Sequence, residues 1–278
     1  MTSVLLTGAT GFIGGAAARV LREKPEISLS TLVRGRGKPD LAQPGTLAGL
    51  CDGVDTVVHA ASYVGDDAEQ CAVVNDVGTA ALVAEARRAG VRRIVYVSTA
   101  AVYGLGPHRG ERPGDLEPRP VSALSRSRLA AERHVLAAGG VVLRPHLVFG
   151  DGDKWFVPNV IRLRTALGGW LGGESARLST IHVGDLARLI AGVVATDVPP
   201  GTILHANHPE PVEMRTVLEV VSARHRIGAP ETWLSEAEAE AIVSPRHLDL
   251  IAKDHFYESA TAWRLTEVAP GPPFPEAY

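Results

Sequence analysis

Residues 3–15, SVLLTGATGFIGG, decide how this chain folds. An apolar run ends in a glycine-rich turn and passes into GFIGGAAARVLRE, whose apolar residues recur at helical spacing, so the segment reads as strand, turn and helix. Gly8, Gly11 and Gly14 fall at intervals of three across the turn. A sharp bend needs a residue without Cβ, a second glycine lets backbone approach a pyrophosphate, and a third lets the helix sit close on its strand. The helix N-terminus then faces the phosphates. Three glycines alone carry little weight, but at the first strand of a βαβ unit they predict a dinucleotide cradle. Thr10, Phe12 and Ile13, interleaved with the glycines, belong to the same predicted cradle.

Outward from this turn, short apolar runs alternate with helical stretches. SLSTLVR, VDTVVHAA, RRIVYVST and GVVLRPHLVFG read as strands, and VNDVGTAALVAEARRAG and SRSRLAAERHVLAAG as helices. Continuous apolar strands separated by helices imply a parallel sheet covered on both faces. Beyond Asp151 the alternation breaks up into VPNVIRLRTALGG, HVGDLARLIAGVVA and MRTVLEVVSARHR, an acidic SEAEAEAI that reads as a solvated helix face, and a Pro-rich tail. The expected architecture is α/β: a Rossmann-type doubly wound parallel sheet with a smaller C-terminal substrate lobe. Residues 1–150, completed by 181–208, form the nucleotide domain, and 151–180 with 209–278 form the lobe.

The composition is that of an ordinary globular protein: 278 residues, 45% hydrophobic, 21% charged, net charge −3. That balance offers no basic field for nucleic acid and no attraction to acidic membranes, so a small molecule is the expected partner. Cys51 and Cys71 are too few for a disulfide framework and not spaced as metal ligands, so no metal is expected and both read as small buried apolar residues. Met1 leads directly into the first strand without a signal-like segment, and no run approaches the roughly 18 apolar residues of a membrane span. A cytoplasmic location is the expectation.

The segment after the second strand bears on which nucleotide is held. An acidic residue there accepts from the adenosine ribose of NAD, whereas an arginine meets the 2′-phosphate of NADP. The chain reads LVRGRGKPDL: Arg34, Arg36 and Lys38 precede the first carboxylate, Asp40. A guanidinium fork suits a phosphate dianion, so NADPH is the expected cofactor, with Arg36 and Lys38 singly also compatible with solvated loop cations.

TGATGFIG, VNDVGTAALVAEARRAGVRRIVYVSTAAVYG, SRSRLAAE, VVLRPHLVFGDGD and IHVGDLARLI occur in the order and nearly the spacing of the extended short-chain dehydrogenase/reductase family, which the chain resembles over almost its whole length. The resemblance implies that Asp40 and Leu41 approach the adenine, that Ala60, Ala61 and Ser62 pass under the cofactor, and that Pro145, His146 and Leu147 lie beside the nicotinamide. It implies that Thr99 is the catalytic hydroxyl, donating to the substrate carbonyl, and that Ser98 and Tyr103 line the substrate side. Only five residues separate Arg34 from Asp40, so the family's third strand must be very short or absent.

At the places where the resemblance expects a proton-donating Tyr and, four residues later, a Lys, this chain has Leu124 and Arg128. Leucine has no proton to give, and arginine keeps a permanent charge. A positioned general acid is worth 10²–10⁴-fold, roughly 3–5 kcal/mol. Orientation and proximity, worth about 7–11 kcal/mol, are untouched by its loss. Hydride transfer therefore stays feasible if Thr99 alone, a histidine such as His146, or a hydroxyl on the substrate stabilises the alkoxide. Leu124, Phe149, Trp155, Phe156 and Trp170 fall where the family builds its substrate cleft. The combination is similar to the angucyclinone ketoreductases of antibiotic biosynthesis, which implies an NADPH-dependent ketoreductase acting on an aromatic polyketide ketone. The alternative is a catalytically silent NADP-binding sensor. For oligomeric state, a homodimer and a monomer fit equally.

Overall fold

Alternation in Thr2–Thr7 sets the layering: Val4 and Leu6 point to one face and Leu5 to the other, all three buried. In the computed structural model, which describes residues 1–278 apart from Arg34, Arg36 and Gly37, this strand (β1) joins β2 (Ile27–Leu32), β3 (Thr56–His59), β4 (Arg93–Val97), β5 (Val141–Arg144) and β6 (Ile203–His205). The sheet runs in the order β6-β5-β4-β3-β1-β2, every neighbouring pair parallel. Helices α1 (Phe12–Arg22) and α5 (Val183–Ala195) cover one face, where Val4, Leu6, Val58, Val95 and Leu143 meet Ala17, Leu21, Leu186 and Ile190. Helices α2 (Gly78–Arg88) and α3 (Ala123–Ala137) cover the other, where Leu5, Val57, Ile94 and Val142 meet Leu82, Ala86, Ala131 and Val135. The expected Rossmann-type sheet is thus present. Among the described residues no strand lies between β2 and β3, only a 3-10 turn at Pro44–Leu47, so β2 is an edge.

A second core gathers α4 (Phe156–Leu167) and α6 (Met214–Arg224) around Phe149, Val160, Leu163, Leu178, Val217 and Phe274. Two of the expected boundaries are crossed. His108–Glu111, placed in the nucleotide domain by sequence, pairs with His255–Tyr257 in the second region's sheet. Conversely Ala262 and Trp263, placed in the lobe, pack into the core between α5 and the main sheet. GVVLRPHLVFG, read as one strand, is two. Pro145 lacks an N–H, so the ladder stops at Arg144, and Leu147–Phe149 resumes beside Thr180–His182 in a different sheet. That break delivers His146 to the C-terminal ends of the strands, where open α/β sheets bind their ligands.

Candidate active site

The glycine turn holds its shape by contact. Gly8 has φ +77°, and a Cβ on it would lie 2.6 Å from the Ala61 nitrogen and 2.7 Å from the Ala60 carbonyl carbon. A Cβ on Gly14 would lie 2.1 Å from the Gly8 carbonyl oxygen. Gly11 caps α1 without a side-chain hydrogen bond, and no carboxylate occupies the first turn. The first amides of α1 therefore face outward, and the helix dipole is uncompensated, which is the environment a pyrophosphate requires. These residues fit a dinucleotide.

A cavity of about 800 Å³ opens from this turn. Thr10, Gly11, Phe12, Ile13, Gly14, Ala60, Ser62, His146, Leu147, Trp155 and Phe156, all expected from sequence, share its lining with Arg128. Its floor is braced from below. The Asn75 amide donates to the Tyr63 carbonyl (3.1 Å) and the Ser127 hydroxyl (3.0 Å), while its oxygen accepts from the Tyr63 amide (2.8 Å) and the Ser62 hydroxyl (3.0 Å). Asn75 lies in a π-helical stretch, Cys71–Val77, of the sort often found at functional sites. His59, just before Ala60, is held between the hydroxyls of Thr7 (2.7 Å) and Thr79 (2.9 Å), and burial together with the Arg128 charge lowers its pKa to about 3. On the far side the wall is apolar: Phe156, Val160, Leu163 and Leu250. Asp153 aims the start of α4, its carboxylate accepting from the amides of Trp155 (2.7 Å), Phe156 (3.0 Å) and Val157 (2.8 Å).

At the ends of β4 and β5 the backbone is cross-tied. The Ser98 amide donates to the Leu143 carbonyl (2.7 Å) and the Ala100 amide to the Pro145 carbonyl (2.8 Å). Thr99 caps the 3-10 turn Ala100–Tyr103, its hydroxyl oxygen accepting from the Ala101 amide at 3.1 Å. Leu124 and Arg128 lie one turn apart on α3, which starts from a Ser122–Ser125 capping box. Arg128 donates through Nη1 to the carbonyls of Val97 (3.0 Å) and Ser98 (3.1 Å). His146 donates its backbone amide to Asn207 (2.7 Å), and its ring packs beside His255 and Tyr257. Burial, then the proximity of His255 and His108, holds His146 well below the usual histidine pKa, hence neutral.

Several sequence expectations need correction. Ser98 and Tyr103 do not line the cavity. Ser98 is buried with its hydroxyl on Glu132 (2.5 Å), and Tyr103 is buried with its hydroxyl accepting from Arg144 (2.7 Å) and meeting His205 Nε2 (2.7 Å). Both belong to a polar cluster around the buried Arg144–Glu132 ion pair. Phe149 is sealed between His182 and Phe274, and Trp170 lies in the second region against Arg164. The Leu41 side chain is in the core. Gly8, Ala61, Thr99, Leu124 and Pro145 stand outside the cavity lining, as do Lys38, which is exposed, and Asp40, whose carboxylate accepts from the Ala42 amide (3.0 Å). Arg34 and Arg36 lie outside the described residues. Val64, Asn159, His247 and Leu250 line the cavity without a sequence signal that marks them, because they come from connections and from helices distant in sequence. Among the described residues no cluster of metal-ligating side chains occurs and no helix is long and apolar enough to cross a membrane.

Comparison with known proteins agrees with this geometry. Residues 4–204 match the model of the NAD dependent epimerase/dehydratase family. The chain is 30% identical over 262 residues to 2-alkyl-3-oxoalkanoate reductase of Stenotrophomonas maltophilia, covering 82% of this chain and 76% of that protein. It is 30% identical over 240 residues to 4-hydroxy-2-methyl-3-oxo-4-farnesyl-3,4-dihydroquinoline-1-oxide ketoreductase of Stigmatella aurantiaca, covering 78% and 71%. RMD from Pseudomonas aeruginosa, solved with NADPH, superposes with TM-score 0.78 at 18% identity, covering 100% of this chain and 96% of that one, which shows the shared fold.

Proposed function

Because the chain belongs to the NAD dependent epimerase/dehydratase family, with a nicotinamide cofactor and oxidoreductase relatives, we propose that it is an NADPH-dependent ketoreductase. Its substrate is an aromatic, polyketide-like ketone that carries its own hydroxyl beside the carbonyl. The observation that carries this reading is one continuous cavity that runs from the glycine turn to an apolar wall of Phe156, Val160, Leu163 and Leu250. A nucleotide at the turn has room for a ring system alongside it. The two relatives' names describe ketones with a neighbouring oxygen function: a 4-hydroxy-3-oxo compound in one, a 3-oxoalkanoate in the other.

When bound, the reduced nicotinamide supplies hydride. The chain's residues supply position and charge. The outward amides of α1 would take the pyrophosphate, and Ala60, Ser62, His146 and Leu147, which line the same cavity, would hold the rest of the cofactor. No carboxylate follows the end of β2 at Leu32 before Asp40, which accepts from the Ala42 amide in its own loop, and the absence of an acid beside the strand end favours the phosphorylated nucleotide. Leu124 stands where a proton donor would be expected, so the proton comes from the substrate's hydroxyl, which is replenished by water. Trp155, 54% exposed, forms an apolar rim suited to a flat ring.

The test is incubation with NADPH or NADH and a panel of aromatic ketones with and without an adjacent hydroxyl, following cofactor consumption and the alcohol formed. Reduction of the hydroxylated members with NADPH preferred is expected. Tight NADPH binding with no turnover across the panel would instead support a nucleotide sensor.

A further inference from the structure

Arg128 and His146 both line the cavity, and each has a buried side-chain nitrogen, Nε and Nε2 respectively, with no hydrogen-bond partner among the described residues. Buried polar atoms in native proteins are normally paired, so two orphans in one cavity point to a ligand. They are also close in topology. Arg128 is fastened to the carbonyls of residues 97 and 98 at the end of β4. His146 is the second residue beyond β5, and the amides of Ser98 and Ala100 tie these two strand ends together through Leu143 and Pro145. The next carboxylate along α3, Glu132, is committed to Arg144 and Ser98, so it does not neutralise Arg128. The Arg128 charge is felt through the site, where it adds to the burial that keeps His59 uncharged.

We propose that Arg128 and His146 form a clamp for the hydroxyl–carbonyl pair of a ketone bearing an acidic phenol or enol. In it the fixed charge of Arg128 stabilises the oxyanion, and the neutral His146 ring fixes the neighbouring hydroxyl. As the carbonyl carbon gains hydride from the reduced nicotinamide, the C=O π pair moves to oxygen. That oxygen takes the proton of the adjacent hydroxyl, and the negative charge left on the latter remains against the guanidinium until water protonates it. A guanidinium does this without titrating, because it stays charged at every working pH. The inference rests on the ketoreductase reading above and adds to it the residues that choose the substrate.

The experiment compares wild type with Arg128→Gln, Arg128→Lys and His146→Leu on one hydroxylated ketone and its deoxy analogue. Turnover is measured alongside calorimetric binding of each ketone to the NADP⁺-loaded protein and the NADPH Kd by fluorescence. Arg128→Gln is expected to lower kcat for the hydroxylated ketone about 10²–10³-fold while NADPH Kd changes less than about threefold, with Arg128→Lys recovering part of the loss. His146→Leu is expected to raise KM and the calorimetric Kd for the hydroxylated ketone about tenfold more than for the deoxy analogue. If Arg128→Gln weakens NADPH tenfold with kcat preserved, the guanidinium serves the ribose and the clamp is wrong. Equal effects on both ketones would also overturn it. If wild type binds the hydroxylated ketone selectively, loses that selectivity in Arg128→Gln and His146→Leu, yet reduces nothing, the clamp stands and the ketoreductase reading falls.

Discussion

At the scale of single residues, Leu124 and Arg128 stand where the resemblance in sequence led to the expectation of a Tyr and a Lys, and the consequences are separable. Restoring a phenol by Leu124→Tyr should raise kcat/KM less than about tenfold, against the 10²–10⁴-fold a working general acid supplies, because its neighbour is a guanidinium already bonded to backbone carbonyls. Thr99→Val should leave turnover measurable, because in the proposed reaction the proton is the ligand's own; the Thr99 hydroxyl, which accepts from the Ala101 amide, still carries a free O–H, so a loss beyond about 10³-fold would assign the donor role to it. Steady-state kinetics of both variants check this. Behind the cavity, Arg144 and Glu132 form an ion pair exposed 4% and 1%. Arg144→Met leaves that carboxylate buried with the Ser98 hydroxyl as a partner but no counter-charge, so urea unfolding should show a loss of about 3–5 kcal/mol. Ser98 and Tyr103 were readable as site residues by motif but not by contact. Their partners Glu132 and His205 lie 34 and 102 residues away, a distance no local pattern reports.

At the scale of elements, the β1–α1 turn was the most legible part of the chain, because its glycines answer to steric demands that act within a few residues. Gly14→Ala places a methyl group 2.1 Å from a backbone oxygen with no flexible side chain to yield. It should cost about 1–3 kcal/mol in thermal or urea unfolding and weaken NADPH binding by two orders of magnitude or more, read by fluorescence titration. The strand read across residues 140–150 was less legible. Its apolar run continues on both sides of Pro145, and only the pairing of Leu147–Phe149 with Thr180–His182 shows that the two halves belong to different sheets. Phe149 was likewise misplaced because Phe274, which covers it, arrives from the far end of the chain. Such long-range cover sets which aromatics face the cavity, leaving Trp155 and Phe156 there and taking Phe149 and Trp170 away.

At the scale of the whole molecule, the fold class followed from periodicity, whereas the division into regions did not, because strands and helices from either side of residue 150 exchange places. The interior also carries a pH signature. His59, His146 and His205 are held neutral by burial, His205 at about 4 and His59 at about 3. Unfolded, each has a pKa of about 6.5, so as pH falls below that value the unfolded chain takes up protons before the folded one. Stability is therefore full above about pH 6.5 and declines on acidification towards pH 4, with His205 alone worth about 3 kcal/mol. Thermal melts across that range should show it, with no loss between pH 7 and 8 from these groups. The central claim is that this cavity passes hydride to a ketone although Leu124 stands in the donor's place. Its most direct measurement uses NADPH deuterated at the transferable C4 position with a hydroxyl-bearing aromatic ketone, followed by mass spectrometry of the alcohol. Deuterium on the carbinol carbon is the predicted result; saturated NADPH binding with no deuterium reaching any ketone would contradict it.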